Sequence, residues 1–159
     1  VFFLVATLVV VGDQLSKSWI RSNLAIGQSL PQGGFFFLTH IRNTGAIFGV
    51  FRDHSFPLTI VGCVGIAIVF VYAFYVCRRF PFLNNGLSKA ALGSILGGAV
   101  GNLIDRLRFG CVTDFIGVGI WPPFNVADSS ITVGVVVFAG SLIYLLFSQR
   151  QEAKGDKTA

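Results

Sequence analysis

At 159 residues, with 53% hydrophobic and only 12% charged residues, the chain is too apolar for a soluble domain, which would carry roughly a quarter charged residues. Its net charge of +5 does not point to nucleic acid, because the basic residues sit at the ends of apolar runs and form no stripe with interleaved aromatics. Cys63, Cys77 and Cys111 belong to no CxxC or Cys/His set with metal-ligand spacing, so they read as small apolar fillers and leave the redox compartment open.

Crossing a hydrocarbon core takes about 20 mostly apolar residues in helix. The stretches 1–20, 57–77, 87–107 and 126–147 have that length and character, which predicts an all-α membrane protein with four crossings. The first begins at Val1, not at Met, so a few residues are expected to precede it. It lacks the charged start and small-residue cleavage site of a secretory signal, and is read as a spanning helix. Within it Asp13 and Lys17 are four apart, with Ser16 alongside, so the two charges share a face and can pair. An ion pair that fixes helix packing is the plainer role, since a carboxylate held by an ammonium is a poor general base.

The following segment, 21–56, mixes Gly33, Gly34, the run Phe35-Phe36-Phe37 and alternating Thr39, Ile41 and Asn43. This pattern predicts a small sheet lying on the membrane, with Phe and Ile dipping into the interface or touching an apolar ligand. A loop packed on the helix ends fits the same residues. His40 and His54 lie here without metal or triad spacing. After the second helix, 78–86 is a short turn. The third helix carries Gly93, Gly97 and Gly101 at intervals of four with Gly98 beside them, a track that lets neighbouring backbones approach.

Near the end of that helix Asn102, Asp105 and Arg106 fall on one face. Arg106 can fork onto a carboxylate or a phosphate-like group, and its proximity keeps Asp105 charged, which favours a scaffold role for that residue. The segment 108–125 holds Asp114 in an apolar, strand-like stretch with no sequence-local partner. Asn125 and Asp128 then open the fourth helix after Pro122-Pro123, either as a capping box or with the carboxylate turned back into the bundle. Residues 149–159 form a polar tail expected to fray.

An even number of crossings puts both termini on one side and the segments 21–56 and 108–125 on the other. Lys and Arg divide evenly between the sides, so charge bias alone does not orient the chain. If Lys17, Arg21, Arg106 and Arg108 serve internal ion pairs, the remaining bias puts the termini in the cytoplasm.

Of only seven acidic residues, Asp13, Asp105, Asp114 and Asp128 fall at one membrane face. Each charge in a spanning helix costs about 2.5–3.5 kcal/mol on insertion scales, so the cluster calls for a function. If the intervening loop brings Asp114 and Asp128 together in a poorly hydrated place, the two cannot both ionise and would hold one shared proton. That is the working state of an aspartic peptidase. A small proton- or ion-coupled transporter is the alternative, which needs polar groups through the depth of the bilayer, and a non-catalytic scaffold whose polar face merely holds the helices together is a further one.

The chain resembles the lipoprotein signal peptidases, or signal peptidases II, of bacterial cytoplasmic membranes. The resemblance is carried by Asp13-Gln14-Leu15-Ser16-Lys17, Asn43-Thr44-Gly45-Ala46-Ile47-Phe48-Gly49, Gly101-Asn102-Leu103-Ile104-Asp105-Arg106, Val112-Thr113-Asp114-Phe115 and Phe124-Asn125-Val126-Ala127-Asp128-Ser129. It implies cytoplasmic termini, a small extracytoplasmic sheet, and an aspartate pair, Asp114 and Asp128, near the outer surface, without metal or cofactor. It further implies that Asp13, Lys17, Asn43, Gly45, Asn102, Asp105, Arg106, Asn125 and Ala127 shape the site or hold substrate. The substrate implied is a prolipoprotein cut just before a cysteine that carries diacylglycerol, by a monomer among membrane phospholipids. Ile47 stands where the family commonly has Ala, which bears on local packing or inhibitor fit, and the Asp114–Asp128 connection is short, which bears on lid shape.

Overall fold

A helix in hydrocarbon hides its polar groups and shows its apolar ones, the reverse of a helix in water. Helix α1 (Phe2–Asn23) does this: Leu4, Leu8, Leu15 and Trp19 are exposed, whereas Ala6, Asp13, Lys17 and Ile20 are buried. The computed structural model describes residues 1–32, 34–45, 55–79 and 84–155. Ile47 and His54 lie outside them.

Among the described residues, four helical segments are long and apolar enough to span: Phe2–Asn23, Leu58–Tyr75, Gly86–Phe109 and Val126–Leu145. The second crossing is built from α2 (Ser55–Val71), a π-helical turn over Tyr72–Val76 and a last turn, α3 (Cys77–Arg79). Arg78 and Arg79 are therefore helical, where the sequence predicts a turn from 78 onward. Helix α4 (Gly86–Phe109) starts at Asn85, whose side-chain oxygen accepts from the Ser88 N–H at 2.9 Å. It stops at Gly110, whose positive φ of 68° forms the left-handed cap. Helix α5 (Val126–Gly155) runs through most of the expected polar tail, because Gln149 to Lys154 consists of good helix formers.

The central element is α4, which packs on α1, α2 and α5. Its glycines serve two neighbours. A Cβ on Gly93 or Gly97 would lie 2.5 or 2.6 Å from the backbone oxygens of Phe2 and Ala6 on α1, and a Cβ on Gly98 would strike the Ala127 oxygen of α5. The α1–α4 and α4–α5 distances at these points are thus set by the absence of side chains.

The two segments on the far side of the helices meet in one antiparallel sheet of order β1-β2-β3-β4, comprising Ser29–Leu30, Phe36–Asn43, Val112–Val118 and Trp121–Phe124. Asp114 lies opposite Ile41, Thr113 opposite Arg42, and Val112 opposite Asn43. The connection from Asp114 to Asp128 is therefore two strands and a tight turn, not an open loop. Pro122 and Pro123 are tolerated because β4 is the edge strand, where no ladder N–H is required on the outer side.

Gly97→Val should force α1 away from α4 and destabilise the protein by about 1–3 kcal/mol, the usual range for overpacking. Thermal unfolding in detergent checks this, and an unchanged midpoint would show that the helices do not depend on the close approach.

Candidate active site

Lys17 fixes the polar interior. Its side chain is wholly enclosed, and an enclosed ammonium has three hydrogens to place. Nζ lies 2.8 Å from Asp13 Oδ2 and 3.7 Å from Asp105 Oδ2, and donates to Asn102 Oδ1 at 2.8 Å. The pair expected within α1 is present and reaches into α4. Asp13 Oδ1 accepts from the Ala127 N–H of α5 at 3.0 Å, so one carboxylate joins α1 to α5 while Lys17 carries the link on to α4. Gly101 leaves the space for that carboxylate, since a Cβ there would lie 2.6 Å from Asp13 Oδ2.

Asp105, also fully buried, draws its cations from α1. Among the described residues its ion pairs are with Lys17 and with Arg21, 3.3 Å away, and not with its sequence neighbour Arg106. It also accepts from the Thr113 N–H at 2.9 Å and from Gln14 Nε2 at 3.3 Å. Asp105 therefore pins the first residues of β3 to the helices.

Thr113 being pinned, Asp114 is presented on the opposite face of β3. Asp114 is buried, its Oδ2 accepting from Asn43 Nδ2 at 2.8 Å and its Oδ1 from Asn125 Nδ2 at 2.7 Å. Asn43 is itself held by the Gly45 N–H, which donates to Asn43 Oδ1 at 3.1 Å. Burial is the largest influence on Asp114 and pushes its pKa up to about 6; the nearby Asp128 pushes the same way, while the Asn43 and Asn125 hydrogen bonds and Lys17 oppose it.

Asp128 is in the first turn of α5 and half-buried. It closes a reciprocal cap with Asn125: the Asn125 N–H donates to Asp128 Oδ2 at 3.2 Å and the Asp128 N–H donates to Asn125 Oδ1 at 2.9 Å. The capping box and the inward carboxylate, alternatives on sequence alone, coexist, because Asp128 Oδ1 also accepts from Asn102 Nδ2 at 2.8 Å. Asn125 Nδ2 in turn donates to Asn102 Oδ1 at 3.2 Å. Asp114 and Asp128 are thus joined through two amides. Arg106 is half-buried and interacts electrostatically with Asp128, Asp114 and Asp105.

Two contributors were not among the expected site residues, although Gln14 stands in the first motif and Arg21 among the possible internal ion-pair residues. Gln14 bridges Asp13, the Gly101 carbonyl and Asp105, and Arg21 bonds both Asp105 and Thr113 Oγ1. Their spacing from Asp13 and Lys17 on α1 was the available clue, since Gln14, Lys17 and Arg21 follow at helical intervals. His40 lies apart from the pair, with Nδ1–H donating to the Leu24 carbonyl. Among the described residues no group of three or more His, Cys, Asp and Glu side chains could hold a metal ion.

Lys17→Met should destabilise the protein by about 3–5 kcal/mol, because it strands buried carboxylates. Adding Asp13→Asn, which keeps an acceptor for the Ala127 N–H, should return part of that loss; thermal unfolding of the two variants is the check, and a double variant less stable than the single would refute the coupling.

The profile described as "Signal peptidase (SPase) II" matches residues 5–144. Over 148 residues the chain is 47% identical to the lipoprotein signal peptidase of Dehalococcoides mccartyi, an alignment covering 93% of this chain and 91% of the relative. It is 41% identical over 152 residues to the lipoprotein signal peptidase of Moorella thermoacetica, covering 95% and 98%. A solved structure described as a bacterial membrane enzyme, obtained by the in meso method at 2.3 Å resolution, superposes with a TM-score of 0.77 at 31% identity, over 89% of this chain and 86% of that one. With four helices long enough and apolar enough to span and a four-stranded antiparallel sheet among the described residues, and with these matches over nearly its whole length, the chain is a multi-pass membrane protein that belongs to the signal peptidase II family.

Proposed function

We propose that this protein is an aspartic endopeptidase that removes the signal peptide from diacylglyceryl-modified prolipoproteins, cleaving just before the lipidated cysteine, with Asp114 and Asp128 as the catalytic pair. The observation that carries this is the joint suspension of the two carboxyl groups from Asn102 and Asn125, with Asp114 raised to a pKa of about 6.

A pair of this kind needs one member protonated and the other ionised. Asp114, the more deeply buried, holds the proton; Asp128, nearer solvent, is the base. Asp128 takes a proton from the attacking water while the Asp114 O–H donates to the scissile carbonyl oxygen. Collapse of the tetrahedral intermediate returns the carbonyl, and the proton held on Asp128 leaves with the departing amine. Asn43 and Asn125 keep Asp114 in register for this exchange, and Arg106 adds a positive charge beside the pair.

The position of the site suits a substrate anchored in lipid. The pair lies where the helices give way to the sheet, and at the sheet's end Phe35, Phe36, Ile120 and Trp121 are exposed. These side chains match what an interface-dipping surface needs. We place the chain in a bacterial cytoplasmic membrane with cytoplasmic termini and the pair toward the extracytoplasmic face, acting as a monomer among phospholipids. A charge relay across the bilayer finds little support: the buried charges Asp13, Lys17, Asp105 and Asp114 gather at one end of the bundle.

Asp114→Asn and Asp128→Asn should each lower cleavage of a diacylglyceryl precursor by about 10²–10⁴-fold or more while insertion and folding persist. Purified variants in detergent, scored for the shorter product, decide this; undiminished turnover in either would remove that residue from the chemistry. Cleavage should be indifferent to chelators, whereas loss restored by zinc would indicate a metal site.

The pH profile gives a separate check. Asp114 must be protonated, so kcat/KM should fall as pH rises through an apparent pKa near 6 in the free enzyme. Asn43→Ala removes a hydrogen bond that favours the ionised form, so it should move the alkaline limb to higher pH. A limb that stays in place or moves lower would contradict the proton assignment.

A further inference from the structure

The sheet has a second polar face, and the proposed chemistry does not use it. Adjacent strand residues point to opposite faces, so Ile41 and Asp114 share one face while their neighbours Arg42 and Thr113 share the other. Behind that second face lies a cavity of about 240 Å³ lined by Arg21, Ile26, His40, Arg42, Phe109 and Cys111, with Thr113. Its volume is several times the roughly 30 Å³ that one water occupies in the liquid.

Arg21 and Arg42 bring cationic side chains to this cavity beside the His40 ring; no Asp or Glu among the described residues lines it, while Asp105 pairs with Arg21 from behind at 3.3 Å. Arg42 forms no ion pair among the described residues; Nε donates to Cys111 Sγ at 3.2 Å and one amino group to the Phe109 carbonyl at 3.4 Å, leaving the other free. As an arginine, Arg42 is a permanent cation. Arg21 uses a single amino group for Asp105 and Thr113, which leaves its Nε and second amino group without hydrogen bonds among the described residues. Its guanidinium sits 4.6 Å from the Phe109 ring centre, and that of Arg108 sits 5.1 Å from the same centre.

Arginine at a helix end commonly turns its head toward water, with no ligand implied. Here the guanidiniums are fixed by Cys111, the Phe109 carbonyl, Thr113 and a ring, and Arg42 is exposed, so the cavity they border opens to the surface, where a headgroup can enter. Guanidinium N–H groups match phosphate oxygens in pairs, and Ile26 and Phe109 offer apolar wall for the carbon attached to an ester. Arg21 lies in the last turn of α1 and Phe109 ends α4, so both stand at the ends of helices long enough to span, and lipid phosphates lie beyond the ends of spanning segments.

We propose that this cavity is a phosphate-binding site, separate from the aspartate pair, that takes the headgroup phosphate of an anionic phospholipid and holds the sheet to the bilayer surface. The occupant bridges Arg21 and Arg42 and so clamps α1 to β2, on the face of the sheet opposite Asp114.

Native mass spectrometry of the full chain in detergent, titrated with dioleoyl phosphatidylglycerol or with dioleoylglycerol, which lacks the phosphate, tests this without reference to cleavage. The wild type should retain the phospholipid in preference to dioleoylglycerol, and Arg42→Gln should weaken that retention about tenfold, as loss of one charge-assisted hydrogen bond implies. Arg42→Lys, which keeps the charge and loses the fork, should weaken it by a smaller factor and carries the test if Arg42→Gln does not fold. Displacement of the lipid by millimolar inorganic phosphate would identify free phosphate as an equal occupant; resistance would identify the headgroup, and both support phosphate recognition. Equal retention of dioleoylglycerol, or unchanged phospholipid affinity in the foldable Arg42 variants, would overturn it.

Discussion

An ammonium that cannot accept a hydrogen bond decides how the interior is wired. Lys17 Nζ faces Asn102, so the oxygen of that amide must turn toward it and the nitrogen away, toward Asp128. The same logic orients Asn125, whose oxygen accepts from the Asp128 N–H and whose nitrogen is therefore turned to Asp114 and Asn102. One buried cation thus propagates direction through two amides to both carboxyl groups. The cost of burying Lys17 is offset because Asp13 and Asp105 are buried with it, and the three together tie α1, α4, α5 and β3.

The consequence for chemistry is asymmetry between two like residues. Asp114 stands on a strand whose preceding residue is bound to Asp105, deep enough for desolvation to outweigh two amide donors. Asp128 stands in the first turn of a helix, accepts from the Asn125 N–H and from Asn102 Nδ2, and remains half-open to solvent. The proposed chemistry uses these different placements of the same side chain as an acid and a base, which is what proton exchange across a peptide bond demands. The glycine contacts belong to the same design, since Gly101 admits the Asp13 carboxylate that holds the Ala127 N–H directly before Asp128.

Much of this was legible in the sequence for identifiable reasons. Spanning helices are announced by length and hydropathy, and the Asp13–Lys17 pair by helical spacing, because both signals are local. The sheet was partly legible from Thr39, Ile41 and Asn43. Its partner strands were harder, because Pro122-Pro123 reads as a stop unless the strand is known to be an edge. The source of Asp105's cations was hidden for a different reason: sequence neighbourhood favours Arg106, whereas the contacts to Lys17, Arg21 and Thr113 depend on how α1 and β3 lie against α4. The reciprocal role of Asn125, cap and cross-link at once, likewise needs the third dimension.

The central claim is that Asp114 and Asp128 hold a single proton between them. The most direct measurement is the pH titration of carboxyl carbon signals by NMR in protein labelled with ¹³C at aspartate, with Asp114→Asn used for assignment. The account predicts one proton taken up at a pH near 6 by a signal that Asp114→Asn removes. If both carboxyl groups stay ionised through that range, with no uptake until the ordinary aspartate pKa of about 3.9, the shared proton does not exist and the proposed chemistry falls with it.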